Sequence, residues 1–389
     1  MALQQEITHS GNRSNLRNVV YSQQIRHYKA YDYTHLKDLG LVGEEKKEDL
    51  RKTGVDGKEA YAITIKHDFE TKAGDELIDQ MFEPLDASSS SGFAGEYLIH
   101  GNTAEKNLVF RRIRLFIHTL KNAAGWDGDM SQQRVGFSLE GLTKYALENW
   151  ASRRWEVDCY YTWYNGYSPH VALSSTSTPV ISNGLGKSTI VNPNIVYAGV
   201  ATNAINVGEG DELTVDLLER LGSYCVFNRI QPIILKGYKP LWVLLTSTLQ
   251  MRGLRRDPMW QKSKLDGMPR GEKNHQVFTR AEGMWGGILV IEVPGQDFIA
   301  TPANAAAGGE NYAQKRRALL LGGGALYYGQ VKGSRKLAKL KEDDFEDHNA
   351  WCIRNIEGMR RGDWEPDPTD TTYHNQSVVE VVTYAANTF

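Results

Sequence analysis

Apolar residues recur at helical spacing along one long stretch of the chain and at strand spacing along several short ones. Between Ser131 and Gly166, the residues Leu139, Leu142, Ala146, Trp150, Val157 and Tyr161 follow one another at steps of three, four or seven. That is the periodicity of a helix burying one face. Lys144, Glu148, Arg153, Arg154 and Glu156 fall on the other side. No proline interrupts the run, and the early Gly141 costs only about 1 kcal/mol against alanine. The pattern predicts a helix over 131–165, a rod about 45 Å long at about 1.5 Å per residue. The usual globular helix is about 11 residues. A rod this long either braces a wide, flat subunit or is an ordinary long core helix, and periodicity is compatible with both.

Strand patterns flank it. Ala60 to Phe69 alternates, and so does Leu108 to Thr119, where Ile113, Leu115 and Ile117 interleave with Arg112, Arg114 and His118. Between them lie about 40 residues that include Ser88 to Ser91 followed by Gly92, a loop-tip composition. The pattern predicts a long two-stranded projection over 59–120. An isolated hairpin is marginal in water, so another surface has to cover it. Its arginine-bearing face is then a candidate for docking on an acidic neighbour. Residues 1–58 are polar and charged with few apolar anchors (Val19, Val20, Tyr21, Tyr28, Tyr31, Tyr33). Taken alone they cannot offset their ordering entropy, which makes them a flexible tail or an arm that finds its partner on another surface. The run Glu44 to Asp49 reads as a solvated helical face.

After the long helix, residues 171–210 turn rich in Ser, Thr, Asn and Gly, with short strands expected at Val180-Ile181, Ile190-Val191 and Ile195 to Tyr197. A second body starts near Asp211. Thr214 can cap a helix carrying Val215, Leu218, Leu221 and Cys225. Leu241 to Thr246 and Gly286 to Val293 read as buried strands, and Pro258 after Asp257 starts a short helix. Tyr312 to Tyr328 reads as helical at both ends around Gly322-Gly323-Gly324. Helices alternating with buried strands make 211–342 an α/β unit. Trp351 to Ile356 and Val378 to Tyr384 return to strand patterns. The division expected is an arm (1–58), a projecting hairpin (59–120), a body with the long helix (121–210), the α/β unit, and a return segment (343–389).

Composition narrows the function. With 45 basic and 47 acidic residues the net charge is −2, which argues against wrapping nucleic acid through a strongly basic surface but not against enclosing it. Three scattered cysteines, Cys159, Cys225 and Cys352, read as reduced thiols of a protein made in the cytosol. The opening MALQQEITHS has neither a basic leader nor an apolar run, and the longest apolar stretches are too short to span a membrane.

Chemical motifs come close and fail. Asn183 to Thr189 offers Gly-Lys-Ser, but Ile181 stands where a phosphate loop needs its first glycine. Gly136 to Gly141 misses the nucleophile-elbow spacing by one residue. Gly322 to Gly324 follows a helical pattern, whereas a dinucleotide fingerprint follows a strand. The ten histidines are dispersed, and His348 among Asp343, Asp344, Glu346 and Asp347 reads as a solvated acidic helix end rather than a metal site. No catalytic, cofactor or metal residues are assigned, and an enzyme is not expected.

The order of these parts (arm, hairpin, long helix, α/β body, β return) resembles the Hong Kong 97-type major capsid proteins of tailed phages. A narrower similarity is to the N-four-like phage capsid proteins. It rests on Gly74-Asp75-Glu76-Leu77, Gly101 to Glu105, Asp129 to Arg134, Leu147 to Ala151, Leu254 to Asp257 with Trp260, Ala318 to Gly322 with Ala325, and Asp344 to Ile356 with Gly358 to Arg361. His100 departs from the pattern, standing where an acidic residue is common. These motifs are colinear and cover about 60–165 and 211–362; the excursion at 171–210 and the last 25 residues have no counterpart.

The resemblance implies an α+β fold with an N-terminal arm, an extended loop, a peripheral domain built on a spine helix, and an axial domain. It implies a structural subunit that assembles with itself as pentamers and hexamers, together with a portal and possibly scaffold or decoration proteins. The resulting virion shell would enclose double-stranded DNA without reading its sequence, and its subunits would be synthesised in the host cytoplasm. Arg111, Arg112 and Arg114, with Phe69 and Phe93, are the candidate intersubunit contacts. A cargo-enclosing nanocompartment of the same fold is the nearest alternative. A nucleotide-binding or hydrolytic enzyme using Lys187-Ser188, and a tail or surface-binding protein, are readings of other kinds.

Overall fold

The computed structural model describes residues 36, 39–44, 60–66, 76–82, 110–127, 138–166, 168, 194–202, 206–234, 239–267, 281–293, 315–330, 336–341, 348–364, 374–375 and 377–385. Its first half comprises β1 (Val42–Glu44), β2 (Ile63–Lys66), β3 (Glu76–Phe82), β4 (Phe110–Phe116), β5 (His118–Asp127), α1 (Leu139–Asn165) and β6 (Asn194–Tyr197). The α/β body holds α2 (Val215–Phe227), β7 (Trp242–Thr246), α3 (Thr248–Arg256), α4 (Pro258–Gly267), β8 (Ala281–Trp285), β9 (Ile288–Glu292) and β10 (Lys315–Leu321). Then come β11 (Leu326–Gln330), β12 (Lys336–Lys341), β13 (His348–Arg361), β14 (Asp363–Trp364), β15 (His374–Asn375) and β16 (Val378–Tyr384).

The spine helix α1 spans 27 residues and is about 40 Å long. It begins where Ser138 Oγ accepts the Gly141 amide at 3.0 Å. It ends where Gly166 takes a left-handed φ of 84° and donates its own amide to Thr162 O, a conformation that favours glycine. The helix lies on β13, β5 and β11. Its buried face is not the one its apolar spacing predicts. Leu147, Glu156, Asp158, Cys159, Tyr160 and Trp163 are inside, whereas Leu142 is 38% exposed and Tyr145 48%. Buried carboxylates explain the mismatch. Glu156 accepts the backbone amide of Leu36 at 3.1 Å, and Asp158 meets Arg154 at 3.0 Å. A buried charge is tolerated when so partnered, and one of these partners lies 120 positions away in sequence.

Two six-stranded sheets organise the rest. One, labelled the peripheral sheet after the resemblance above, runs β1-β2-β11-β13-β12, with β5 also paired to β13. Here β13 is the shared strand: β11 and β12 pair with its successive halves, and β5 pairs antiparallel along residues 348–357. The other, labelled the axial sheet in the same way, is mixed, in the order β6-β16-β10-β7-β9-β8. One face, through Leu244, Val290, Leu320 and Val381, packs under α2, α3 and α4. The other, through Val243, Leu245, Ile291, Leu319 and Leu321, joins a core with Trp163, Tyr160, Ile63, Leu326 and Met359. Two helix starts are as read, since Thr214 Oγ1 accepts the Leu217 amide and Pro258 opens α4, and Ser247 with Gln250 adds a reciprocal capping box at α3.

Three expectations are corrected. The stretch predicted as two helical ends around three glycines is strand–corner–strand, β10 and β11. Because β10 is buried on both faces, its apolar run carries no period that separates a strand from a helix. The glycines make the corner by close backbone approach: a Cβ on Gly322 would lie 2.1 Å from Gln231 O. Second, β4 does not pair with 60–69. Its partner is β3, from Glu76↔Phe116 to Phe82↔Phe110, while β2 lies parallel to β1 and β11 in the peripheral sheet. Third, part of the supposed arm belongs to the core, since Leu36, Leu39 and Leu41 are buried beside α1 and Glu44, read as helical, ends β1. Apart from residues 36 and 39–44, the segment 1–58 lies outside the described residues. So do the strands expected at 180–181 and 190–191, whereas β6 fulfils the third.

Candidate functional site

Among the described residues nothing assembles into a catalytic centre. No group of three or more His, Cys, Asp or Glu residues could hold a metal there. Asn183 to Thr189 and Asp343 to Asp347 lie outside the described residues. Ser138 of the failed nucleophile elbow is the N-cap of α1, and Gly322 to Gly324 are a strand corner rather than a phosphate cradle. Cys159 and Cys225 are buried and Cys352 half-buried, all as free thiols. Burial pushes the Cys225 thiol up to about 12, far from nucleophilic at neutral pH.

What the geometry offers instead is surface for assembly. Among the described residues the pair β3–β4 forms a sheet of its own, two strands wide. The far end of β4 is rooted in the body: Ile113 and Leu115 are buried, and β4 packs against β13, β14 and β11. Gly358 permits that approach, because a Cβ there would meet Phe116 O at 2.4 Å. Arg112 is half-buried and Arg114 is 7% exposed at the root of the ribbon. They oppose Gln80 and Ile78 across it, and Arg111 opposes Met81. The Arg111 side chain, Phe69 and Phe93 lie outside the described residues.

A polar clasp fixes the body from which the ribbon projects. Arg361 is fully buried. Its Nε donates to both carboxylate oxygens of Asp363 at 2.9–3.0 Å, its Nη2 lies 2.8 Å from Asp363 Oδ2, and its Nη1 donates to Trp163 O and Tyr164 O. Those carbonyls belong to the last turn of α1, where a cation also complements the helix dipole. Beside it the Arg317 guanidinium stacks 4.3 Å from the Tyr164 ring and lies 3.5 Å from Glu380. Burial raises the Glu380 pKa, with Arg317 and Arg361 opposing the shift. One end of the spine helix is thus tied to both sheets. The periodicity of α1 gave no sign of this joint; the cue was the clustering of Arg360, Arg361 and Asp363 after an apolar strand.

A long helix braced across one sheet, a second sheet closed by helices, and a rooted but separate ribbon together define the Hong Kong 97-like fold of phage capsid subunits. The capsid of Ralstonia phage GP4 superposes with a TM-score of 0.67 at 18% identity, covering 95% of this chain and 97% of that one. The cyanophage Pam1 capsid gives 0.65 at 15% identity, covering 95% and 98%. The acidic stable capsid of Helicobacter pylori bacteriophage KHP30 gives 0.61 at 11% identity, covering 97% and 98%. The model of the family described as phage capsid protein matches residues 28–387, and the chain belongs to that family. It is a major capsid protein, the subunit from which the shell of a phage head is built. No curated protein matches the chain.

Proposed function

We propose that this subunit closes the head through pentameric and hexameric rings, and that the β3–β4 ribbon lies across a neighbouring copy. The observation that carries this is the ribbon itself: β3 and β4 pair only with one another among the described residues. Two strands alone are marginal in water, so a neighbour's surface completes their burial. Head-to-tail contacts of this kind generate closed rings. The near-neutral net charge of −2 suits a shell filled by a separate packaging machine through a portal, and scaffold or decoration proteins would add to the same shell. The enclosed cargo is double-stranded DNA, held without sequence readout, and the chain would be synthesised in the host cytoplasm before entering the virion. No described helix is long and apolar enough to cross a membrane. Colinear motifs from Gly74 to Arg361 support membership of the narrower N-four-like group.

Arg111, Arg112 and Arg114, with Phe69 and Phe93, are the proposed contacts. Burial orders the arginines: Arg112 is half-buried and Arg114 lies at the root. The test replaces all three with serine, beside Arg112→Ser alone, and images the products by negative stain. Loss of shells from subunits of native circular dichroism is expected. Undiminished assembly at both low and high salt would remove the arginines from the interface. Particles filled with enzyme instead of DNA would favour the nanocompartment reading.

A further inference from the structure

Helix α2 carries its two ends to opposite corners of the α/β body. In the axial sheet β6 and β8 are the edge strands. Strands β6, β16, β7 and β9 run one way and β8 the other. The turn after β6 and the turn between β8 and β9 therefore lie at opposite edges and opposite ends of the sheet. The 13 residues of α2 join these corners over about 20 Å. Its start meets the β6 corner, where Asp211 O accepts the Tyr384 amide and Arg220 donates to Tyr197 O and Gly199 O. Its second half meets the β8–β9 turn. There Glu219 Oε1 accepts the Trp285 indole N–H at 3.2 Å, and a Cβ on Gly222 would lie 3.5 Å from Gly286 O.

The two corners differ in chemistry. At the end of α2, Val226 is 68% exposed and Phe227 87%, with half-buried Tyr224, Trp242 and Trp285 at the same end of the body. Arg229 and Lys239 are exposed there too. A single exposed apolar residue carries no message, but an adjacent pair with aromatic neighbours and a cationic rim has the composition of an interface. At the start of α2, Val200 is fully exposed. Asp257 accepts the Val215 amide through Oδ2 and the Met259 amide through Oδ1, which brings a 57%-exposed Met259 to the same helix start. Around that start Glu209 and Asp216 are exposed, and Asp211 and Glu212 half-buried. They stand against Arg220, committed to its two carbonyls, and Arg256 at the end of α3. We infer that these corners are the two halves of one head-to-tail contact: the Val226–Phe227 end of each subunit docks on the Val200–Met259 corner of the next copy. Charge selects that occupant, since Arg229 and Lys239 then face Glu209 and Asp216, whereas either corner meeting its own kind would oppose like charges. A ring needs two such unlike patches on opposite sides, because a self-complementary patch gives only a twofold pair.

The inference rests on the ring-forming reading and adds to the ribbon a contact made by the body itself. Val200→Cys and Phe227→Cys, both at exposed positions, are made singly and together in the full chain. Shells assembled without DNA are treated with a short bis-maleimide, resolved on denaturing gels and imaged for ring size. The double variant should give a ladder of covalent products up to five and six subunits, mapped by mass spectrometry to joined 200 and 227 peptides. Each single variant should stay monomeric, which also accounts for Cys352, the half-buried native thiol. An equimolar mixture of the two single variants, which keeps unsubstituted corners in every ring, should give the same joined peptides. A dimer from Phe227→Cys alone would show like corners meeting and overturn the inference. Rings of five and six without joined 200 and 227 peptides would overturn it and leave the ring-forming reading standing; shells without such rings would overturn both. In a second arm, the thiol at position 227 should be protected from a monofunctional maleimide in DNA-free shells. Protection that appears only once DNA is enclosed would give the corner to nucleic acid and overturn the contact.

Discussion

The axial sheet and the ribbon have the same chemistry, paired backbone and alternating side chains, and opposite fates. Every strand of the axial sheet from β16 to β9 has two neighbours, and both faces are sealed, one by three helices and one by the core beneath the spine. The ribbon has a root and, among the described residues, no further strand paired to it. The difference lies in what each leaves for another molecule to do. A region that satisfies its own backbone and apolar surface fixes subunit shape; one that does not is, on our proposal, completed by a copy. A shell needs both, because rigid subunits define curvature while incomplete ones define contact.

Substitutions separate the two roles, and the largest effect belongs to the clasp. Arg361→Ala leaves Asp363 and the last carbonyls of α1 buried without their cation, and should cost about 3–5 kcal/mol in subunit stability, read by denaturant unfolding. Native-like stability would show that water replaces the guanidinium and that the clasp does not set the joint. Leu320→Ala, in the sealed face of the axial sheet, should cost about 2–5 kcal/mol by the same measurement. A much smaller loss would mean that this core is looser than its burial indicates.

Glu380 supplies a pH-dependent intermediate case. Burial holds its folded pKa above the ordinary glutamate value of 4.5. Its contribution to stability is therefore largest below the unfolded pKa and declines as pH rises through the window between unfolded and folded values. Glu380→Gln should flatten the stability–pH curve above pH 4.5, and an unchanged slope would mean that the Arg317 pair, not burial, governs that carboxylate. The smallest effect on the isolated subunit is expected of the half-buried Arg112→Ser, about 1 kcal/mol, together with a marked loss of shells by negative stain. Were subunit stability to fall sharply and assembly to persist in what folds, the ribbon would belong to the body and the contrast would disappear.

Legibility in the sequence followed the same division. The strands Leu241 to Thr246 and Val378 to Tyr384, the Thr214 cap and the Pro258 start were readable because their determinants are local. The fold class was readable because its parts stand in a recognisable order. The buried face of α1 was not, since Glu156 is acceptable inside only because the Leu36 amide arrives from 120 positions away. Nor was β10, since a strand buried on both sides has no alternation to detect. The ribbon's arginines could be named from alternation, but which of them is rooted depended on β3, a pairing that Ala60 to Phe69 imitated well enough to mislead.

The strand pairing also bears on how the polypeptide reaches this state. Ile63 aligns with Leu326 in one sheet, and Asn194 with Val379 in the other. Neither sheet can close until nearly the whole polypeptide has left the ribosome. Such distant pairings make for high contact order and slow folding, with strand edges exposed during the wait. The window in which a newly made chain is vulnerable to clumping, or in need of a chaperone, is thus set by topology before any copy meets another.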